Sequence, residues 1–205
     1  MPKEIEAVIC DLGNVILFFD WATAYTKLEK ITGLPGLEIV RRIAVQPFIH
    51  EYETGQISSE EAFRHVQKQL DSHIAYPDFK EVWSDIFSPN DDMIRLLHRL
   101  SESVRLVLLS NTNELHFSFI EEHFAYAISP FENRIVLSYR SGYVKPHPRI
   151  FEHALAHAGV PANQCLFIDD IQAYTDAAKS LGMNSIQYRS YGQCHDALKD
   201  LGVIA

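Results

Sequence analysis

No stretch of this chain gathers basic residues. Its 18 Lys and Arg are outnumbered by 27 Asp and Glu, for a formal charge of −9, so neither nucleic acid nor an anionic membrane surface is an expected partner. No apolar run approaches the ~20 residues that span a bilayer. The opening Met1-Pro2-Lys3-Glu4 turns acidic too soon for a secretory signal, so a cytoplasmic protein is expected. Cysteine is scarce. Cys10, Cys165 and Cys194 are odd in number and lack metal-ligand spacing. The first two lie in strand-like runs, which reads as buried free thiols in a reducing compartment. The ten histidines are scattered with no H-E-x-x-H spacing, as surface or satisfied core residues would be. Internal repeats and low-complexity segments are absent. None of this forbids an anionic substrate, because a metal ion and a few local donors can reverse the sign at a site.

What is present is a core-sized chain with a clear rhythm. With 205 residues, 47% hydrophobic and 22% charged, it has room for one domain plus a smaller insertion. Ala7-Val8-Ile9-Cys10 is an apolar run ending in Asp11 and followed by Leu12-Gly13-Asn14-Val15, which reads as a fully buried strand of a parallel sheet. From Trp21 to about Phe87 no strand-like run follows. Instead Ser58-Ser59-Glu60-Glu61 forms a capping-box signature ahead of Ala62, Phe63, Val66 and Leu70, and Gly33, Pro35, Gly36 and Gly55 divide the segment into short helices. Some seventy helical residues are far more than a crossover needs, so residues 18–88 are expected to be a helical subdomain inserted over the mouth of the sheet.

Beyond it, strands alternate with helices. A helix opening at Pro89-Asn90-Asp91-Asp92 is expected, then a strand Val104–Leu109, a helix His116–Phe124 and a short strand Arg134–Ser138. A loop over Ser141–Val144 follows, a helix opening at Lys145-Pro146-His147-Pro148, a strand Cys165–Ile168, a helix ending near Gly182, and a last strand Ser185–Tyr188. This order predicts an α/β fold, a doubly wound parallel Rossmann-like sheet, with the core in residues 1–17 and 89–205.

Three strands end in reactive polar residues, namely Asp11, Ser110-Asn111 and Asp169-Asp170, and Lys145 begins a helix near the same edge. In a parallel sheet all four groups meet at the carboxyl rim, where ligands bind. One strand-terminal Asp often only caps the next helix; four such groups in one pattern point to a site. Three carboxylates at one rim call for a cation, and hard anionic oxygens suit Mg²⁺. Lys145 with the metal can neutralise a phosphoryl group, Ser110 and main-chain N–H groups can donate to its oxygens, and a carboxylate can attack phosphorus to form an aspartyl phosphate.

Asp11-Leu12-Gly13-Asn14-Val15, Ser110-Asn111-Thr112, Lys145-Pro146 and Asp169-Asp170, in that order, resemble the four motifs of the haloacid dehalogenase superfamily, and the helical insertion resembles its C1 cap. The resemblance covers essentially the whole chain. It implies Asp11 as nucleophile. It implies Mg²⁺ bound by Asp11, the Gly13 carbonyl, Asp170 and Asp169, phosphate held by Ser110 and Asn111, and Lys145 bridging phosphate and Asp11. The substrate implied is a small phosphate ester; oligomeric state is left open. The form Asp-Leu-Gly-Asn-Val with Glu53-Thr54-Gly55-Gln56-Ile57-Ser58 is similar to the bacterial branch holding glucose-1-phosphate phosphatases and the N-terminal phosphatase of epoxide hydrolases, hence a sugar phosphate.

Two departures stand out. The phosphatases of the superfamily usually read Asp-x-Asp-Gly at the first motif, the second Asp serving as general acid and base, whereas this chain has Gly13 there. His50 or Glu53 could reach from the cap in its place, against the plainer reading of both as cap surface. Tyr174 stands where that branch often carries Asn. Two other readings remain open at this point: a metal-independent 2-haloacid dehalogenase, which the acidic pair opposes, and a phosphate or sugar-phosphate sensor without turnover. A two-component receiver is excluded because its acidic pair comes first in the chain.

Overall fold

The computed structural model describes residues 4–204; Met1, Pro2 and Lys3, on which part of the secretory-signal reading rests, lie outside the described residues. Five strands form one parallel sheet: β1 (Ala7–Cys10), β4 (Arg105–Ser110), β5 (Ile135–Leu137), β6 (Cys165–Asp169) and β7 (Asn184–Gln187), in the order β5-β4-β1-β6-β7. Every pairing in it is parallel. The chain winds outward from β1 through β4 to β5, then returns to the other side of β1 for β6 and β7. The expected α/β, Rossmann-like architecture is therefore present, and β1, flanked by β4 and β6, marks the crevice where such folds take ligands.

The apolar runs explain the burial. Successive residues of a strand face opposite sides. Val8 and Cys10 join one hydrophobic layer, with Met93, Leu96, Leu97 and Leu100 of the helix Asp91–Leu100. Ala7 and Ile9 join the other, with Ile150, Phe151, Ala154 and Ala158 of the helix Pro148–Ala158. A strand apolar on both faces is what a sheet covered on both sides requires.

Between β1 and β4 lies an antiparallel ribbon of β2 (Leu17–Phe19) and β3 (Phe87–Pro89). It brackets five helices, Trp21–Thr32, Gly36–Ile43, Pro47–Glu53, Ser59–Leu70 and Tyr76–Ser84. These bury a core of their own, including Leu28, Ile39, Phe48, Val66, Phe79 and Trp83. Ser58 and Glu61 form the capping box reciprocally: Glu61 N–H donates to Ser58 Oγ at 3.3 Å, and Ser58 N–H donates to Glu61 Oε2 at 2.8 Å. Leu115, on the helix Glu114–His123 that follows β4, also packs into this second core.

Some elements differ from expectation. Pro89 ends a strand rather than opening a helix, because Asn90 is the N-cap of Asp91–Leu100. Ser138–Ser141 is a helical turn closed by Gly142 at φ 80°, so Ser141 leaves the predicted loop. Lys145 lies in the loop before its helix, since Pro148 is the first helical residue and His147 caps it, Nδ1 accepting from Arg149 N–H at 3.2 Å. A C-terminal helix, Tyr191–Asp200, was not read from the sequence; it buries only Cys194 and Leu198, too sparse an apolar stripe to signal itself. All three cysteines are free and buried. No described helix is long and apolar enough to cross a membrane.

Candidate active site

The turn after β1 sets the site. Ile16 and Leu17 N–H both reach back to the Leu12 carbonyl at 2.9 Å, and Asn14 takes φ 56°, a left-handed conformation Asn tolerates better than most residues. The tight turn leaves Asp11 at the carboxyl end of β1, 7% exposed. Asp169 ends the neighbouring β6 and is fully buried, while Asp170 one residue later is half-buried. One carboxylate oxygen of each of Asp11, Asp169 and Asp170 lies within 4.8 Å of the others.

Lys145 enters this cluster from the side. Its Nζ stands 2.7 Å from Asp11 Oδ1 and 2.6 Å from Asp169 Oδ2, and the side chain is 1% exposed. It also lies 5.1 Å from the centroid of the Tyr174 ring and 5.7 Å from that of Phe167. Burial alone would lower the ammonium's pKa, but Asp11 and Asp169 outweigh it and hold the pKa above the ordinary lysine value. Burial pushes the Asp11 carboxyl up to about 7, Lys145 opposing the rise and Asp169 adding to it. Burial likewise raises Asp169. Three carboxylates against one ammonium leave a cluster short of positive charge.

The three acids are not equivalent. Asp169 has both oxygens engaged, Oδ2 by Lys145 and Oδ1 by Ile171 N–H at 2.8 Å. Asp170 is held by one oxygen only, Oδ2 accepting from Asn14 Nδ2 at 3.1 Å. Asn14 is thus a site residue that sequence reasoning passed over; the contact joins positions 156 residues apart, and only the fold reveals it.

Ser110 ends β4 and is buried beside the site. Asn111 follows, but its amide is spent on the Lys145 peptide: Oδ1 accepts from Lys145 N–H at 2.7 Å, and Nδ2 donates to the Lys145 carbonyl at 3.1 Å and to Tyr174 Oη at 3.4 Å. Ser138 braces the same loop, Oγ donating to the Thr112 carbonyl at 2.8 Å and accepting from Thr112 N–H at 2.9 Å. Tyr174 therefore contacts the phosphate motif, a role not anticipated from its place in the sequence.

Above these residues lies a cavity of about 100 Å³, lined by Gly13, Ser110, Asn111 and Thr112 below and by Trp21 and Glu53 of the inserted helices. Gly13 has no side chain to offer, and the Phe19 ring occupies the space beside it: a Cβ there would stand 3.0 Å from Phe19 Cε1. Glu53 reaches the cavity, whereas His50, the other residue considered for the missing acid, is exposed and does not line it. His116, another lining residue, is fixed by Asn113 Nδ2 at Nδ1 (3.1 Å) and by the Trp83 carbonyl at Nε2 (3.0 Å). Burial lowers its pKa to about 4.

Comparisons with known proteins bear on the family and the fold. A D-ribitol-5-phosphate phosphatase of Bacteroides thetaiotaomicron is 25% identical over 189 residues, covering 89% of this chain and 91% of its own. The phosphatase MT3486 of Mycobacterium tuberculosis is 26% identical over 226 residues, covering 98% and 97%. The crystal structure of a HAD family enzyme of B. thetaiotaomicron, in complex with magnesium and inorganic phosphate, superposes with a TM-score of 0.82 at 22% identity, covering 90% of this chain and 94% of that one. The model of haloacid dehalogenase-like hydrolases matches residues 5–182, and the chain belongs to that family of hydrolases.

Proposed function

We propose that this hydrolase is a Mg²⁺-dependent phosphatase of small phosphorylated metabolites, with sugar or sugar-alcohol phosphates as the substrate class, working through an aspartyl phosphate. The observation that carries the reading is the Lys145 ammonium seated between Asp11 and Asp169 at the sheet's carboxyl rim, with Asp170 at its edge. A divalent cation fits the charge balance, because three carboxylates and one ammonium leave a deficit of two positive charges, and crowded carboxylates are otherwise forced to hold protons. Asp11, Asp170 and the Gly13 carbonyl would hold the ion, with Asp169 mainly anchoring Lys145. When bound, Mg²⁺ supplies charge neutralisation at the phosphoryl oxygens.

The chain's own groups perform the rest. Asp11 attacks phosphorus, Lys145 keeps the attacking carboxylate ionised and faces the phosphoryl oxygens, and Ser110 Oγ donates to them. The Asn111 side chain is occupied, so its contribution to phosphate binding is through its main-chain N–H. Residues 18–88 act as a cap whose cavity of about 100 Å³ favours a small leaving group and excludes bulk water. Two relatives are named as phosphatases, and the one of D-ribitol 5-phosphate supports the same substrate class. A metal-independent dehalogenase does not suit a cluster so rich in carboxylates. The three unpaired, buried thiols suit a reducing compartment, and we place the enzyme in the cytoplasm.

The test is a screen of phosphorylated metabolites with turnover followed against magnesium concentration, run beside Asp11→Asn. Magnesium-dependent phosphate release by the wild type and background rates from a folded Asp11→Asn are expected. Phosphate release that survives in Asp11→Asn would remove Asp11 as nucleophile, and tight phosphate binding without turnover would replace the enzyme by a sensor.

A further inference from the structure

We infer that Glu53, from the inserted helices, is the proton donor to the leaving-group oxygen and the base for the hydrolytic water. This inference rests on the phosphatase reading above and adds the group that reading lacks. Cleaving a P–O bond leaves an alkoxide or phenoxide that takes up a proton, and none of the groups beneath the cavity has one to give in the right place. Lys145 already directs its protons at Asp11 and Asp169. Among the residues lining the cavity, the two titratable side chains are Glu53 and His116. His116 has both ring nitrogens engaged and stays neutral. The position beside Asp11 that could carry a second acid is Gly13, with Phe19 packed against it.

Glu53 is held in place rather than left on an open loop. It is the last residue of the helix Pro47–Glu53, and the residues on either side of it touch the sheet domain. Tyr52 Oη accepts from Leu115 N–H at 3.2 Å and bonds Ser59 Oγ at 2.8 Å. Gly55, at φ 69°, lies so close to the helical turn Ser138–Ser141 that a Cβ would run into the Tyr139 carbonyl oxygen. Thr54 Oγ1 ties off the helix end by donating to the His50 carbonyl at 2.7 Å. Among the described residues, no hydrogen-bond donor or cation pairs with the Glu53 carboxyl, which leaves it available to a substrate. Burial raises its pKa, which favours the protonated form that a donor needs.

The cycle balances. As Asp11 Oδ bonds to phosphorus, the P–O bond to the leaving group breaks, and that oxygen takes the Glu53 proton and departs as an alcohol. Glu53, now a carboxylate, removes a proton from water. The water oxygen bonds to phosphorus, the bond to Asp11 breaks, phosphate leaves, and Glu53 is again protonated.

The experiment is a series of substituted phenyl phosphates, from p-nitrophenyl to unsubstituted phenyl, with the phosphorylation burst timed in magnesium for wild type, Glu53→Gln and Glu53→Asp. A poorer leaving group needs the proton more. The phenyl to p-nitrophenyl rate ratio should therefore fall by about 10²-fold in Glu53→Gln and stay near the wild-type value in Glu53→Asp, which keeps an acid. An unchanged ratio in Glu53→Gln, or an equal fall in both variants, would overturn the inference while leaving the phosphatase intact. A wild type that turns over none of the series would overturn both.

Discussion

Asn111 grips Lys145 by its peptide, accepting the N–H at 2.7 Å and donating to the carbonyl at 3.1 Å. The amide just past the end of β4 thus fixes the residue whose ammonium sits between two carboxylates. Asn111→Ala removes both bonds from a partly buried site. At about 1 kcal/mol each, a drop of roughly 2 kcal/mol in unfolding free energy is expected. The sharper readout is kinetic: kcat should fall because Lys145 loses its register, whereas a purely structural role would lower stability and leave kcat intact.

Lys145 itself is the most exacting position. Lys145→Met preserves bulk but leaves Asp11 and Asp169 facing each other without the ammonium. Breaking a buried ion pair by removing one partner costs about 3–5 kcal/mol. Denaturant unfolding should show a loss of that order, together with abolished turnover. A variant as stable as wild type would mean that the cost of burying the ammonium offsets its attraction to the two carboxylates.

Asn14 is expected to act on the metal alone. Its amide holds Asp170 Oδ2 at 3.1 Å, while its backbone sits at φ 56°. Asn14→Gly keeps that conformation available and deletes only the amide. Loss of such a supporting bond typically weakens metal binding by about 10–100-fold, so the magnesium concentration for half-maximal rate should rise accordingly, with saturating kcat near wild type. An unaltered magnesium requirement would show that Asp170 needs no such support.

His116 makes stability depend on pH. Its ordinary pKa of 6.5 is lowered to about 4 in the folded chain, so between those values the unfolded chain takes up a proton that the folded one refuses. Stability is therefore lost as pH falls through this window and is fully present above 6.5. At the lower end the loss is on the order of 3 kcal/mol. Melting temperatures of wild type and His116→Gln, compared from pH 7 to 4, should diverge at the alkaline end and converge in acid.

The strands were legible because each is a short, wholly apolar run with a polar residue at its carboxyl end. That same feature marked Asp11, Ser110 and Asp169, since a parallel sheet leaves no other place for them. Lys145 was located to the correct rim but not to the correct element, because Pro148, and not the Lys-Pro pair, supplies the first helical residue. The pairings Asn14 with Asp170 and Asn111 with Lys145 were not legible: a side-chain amide has no periodicity, and its partners are set by which strands become neighbours. Glu53 could be named as a candidate from its place in the insertion, but not separated from His50 until the helix direction was known. The C-terminal helix was missed because two buried residues in ten make no pattern.

The ring of Phe19 beside Gly13 governs what position 13 can carry. A Cβ there would stand 3.0 Å from Phe19 Cε1, so any larger residue asks that ring, 38% exposed, to give by a few tenths of an ångström. The adjustment falls on one side chain with solvent beside it, and the backbone of the ribbon keeps its place.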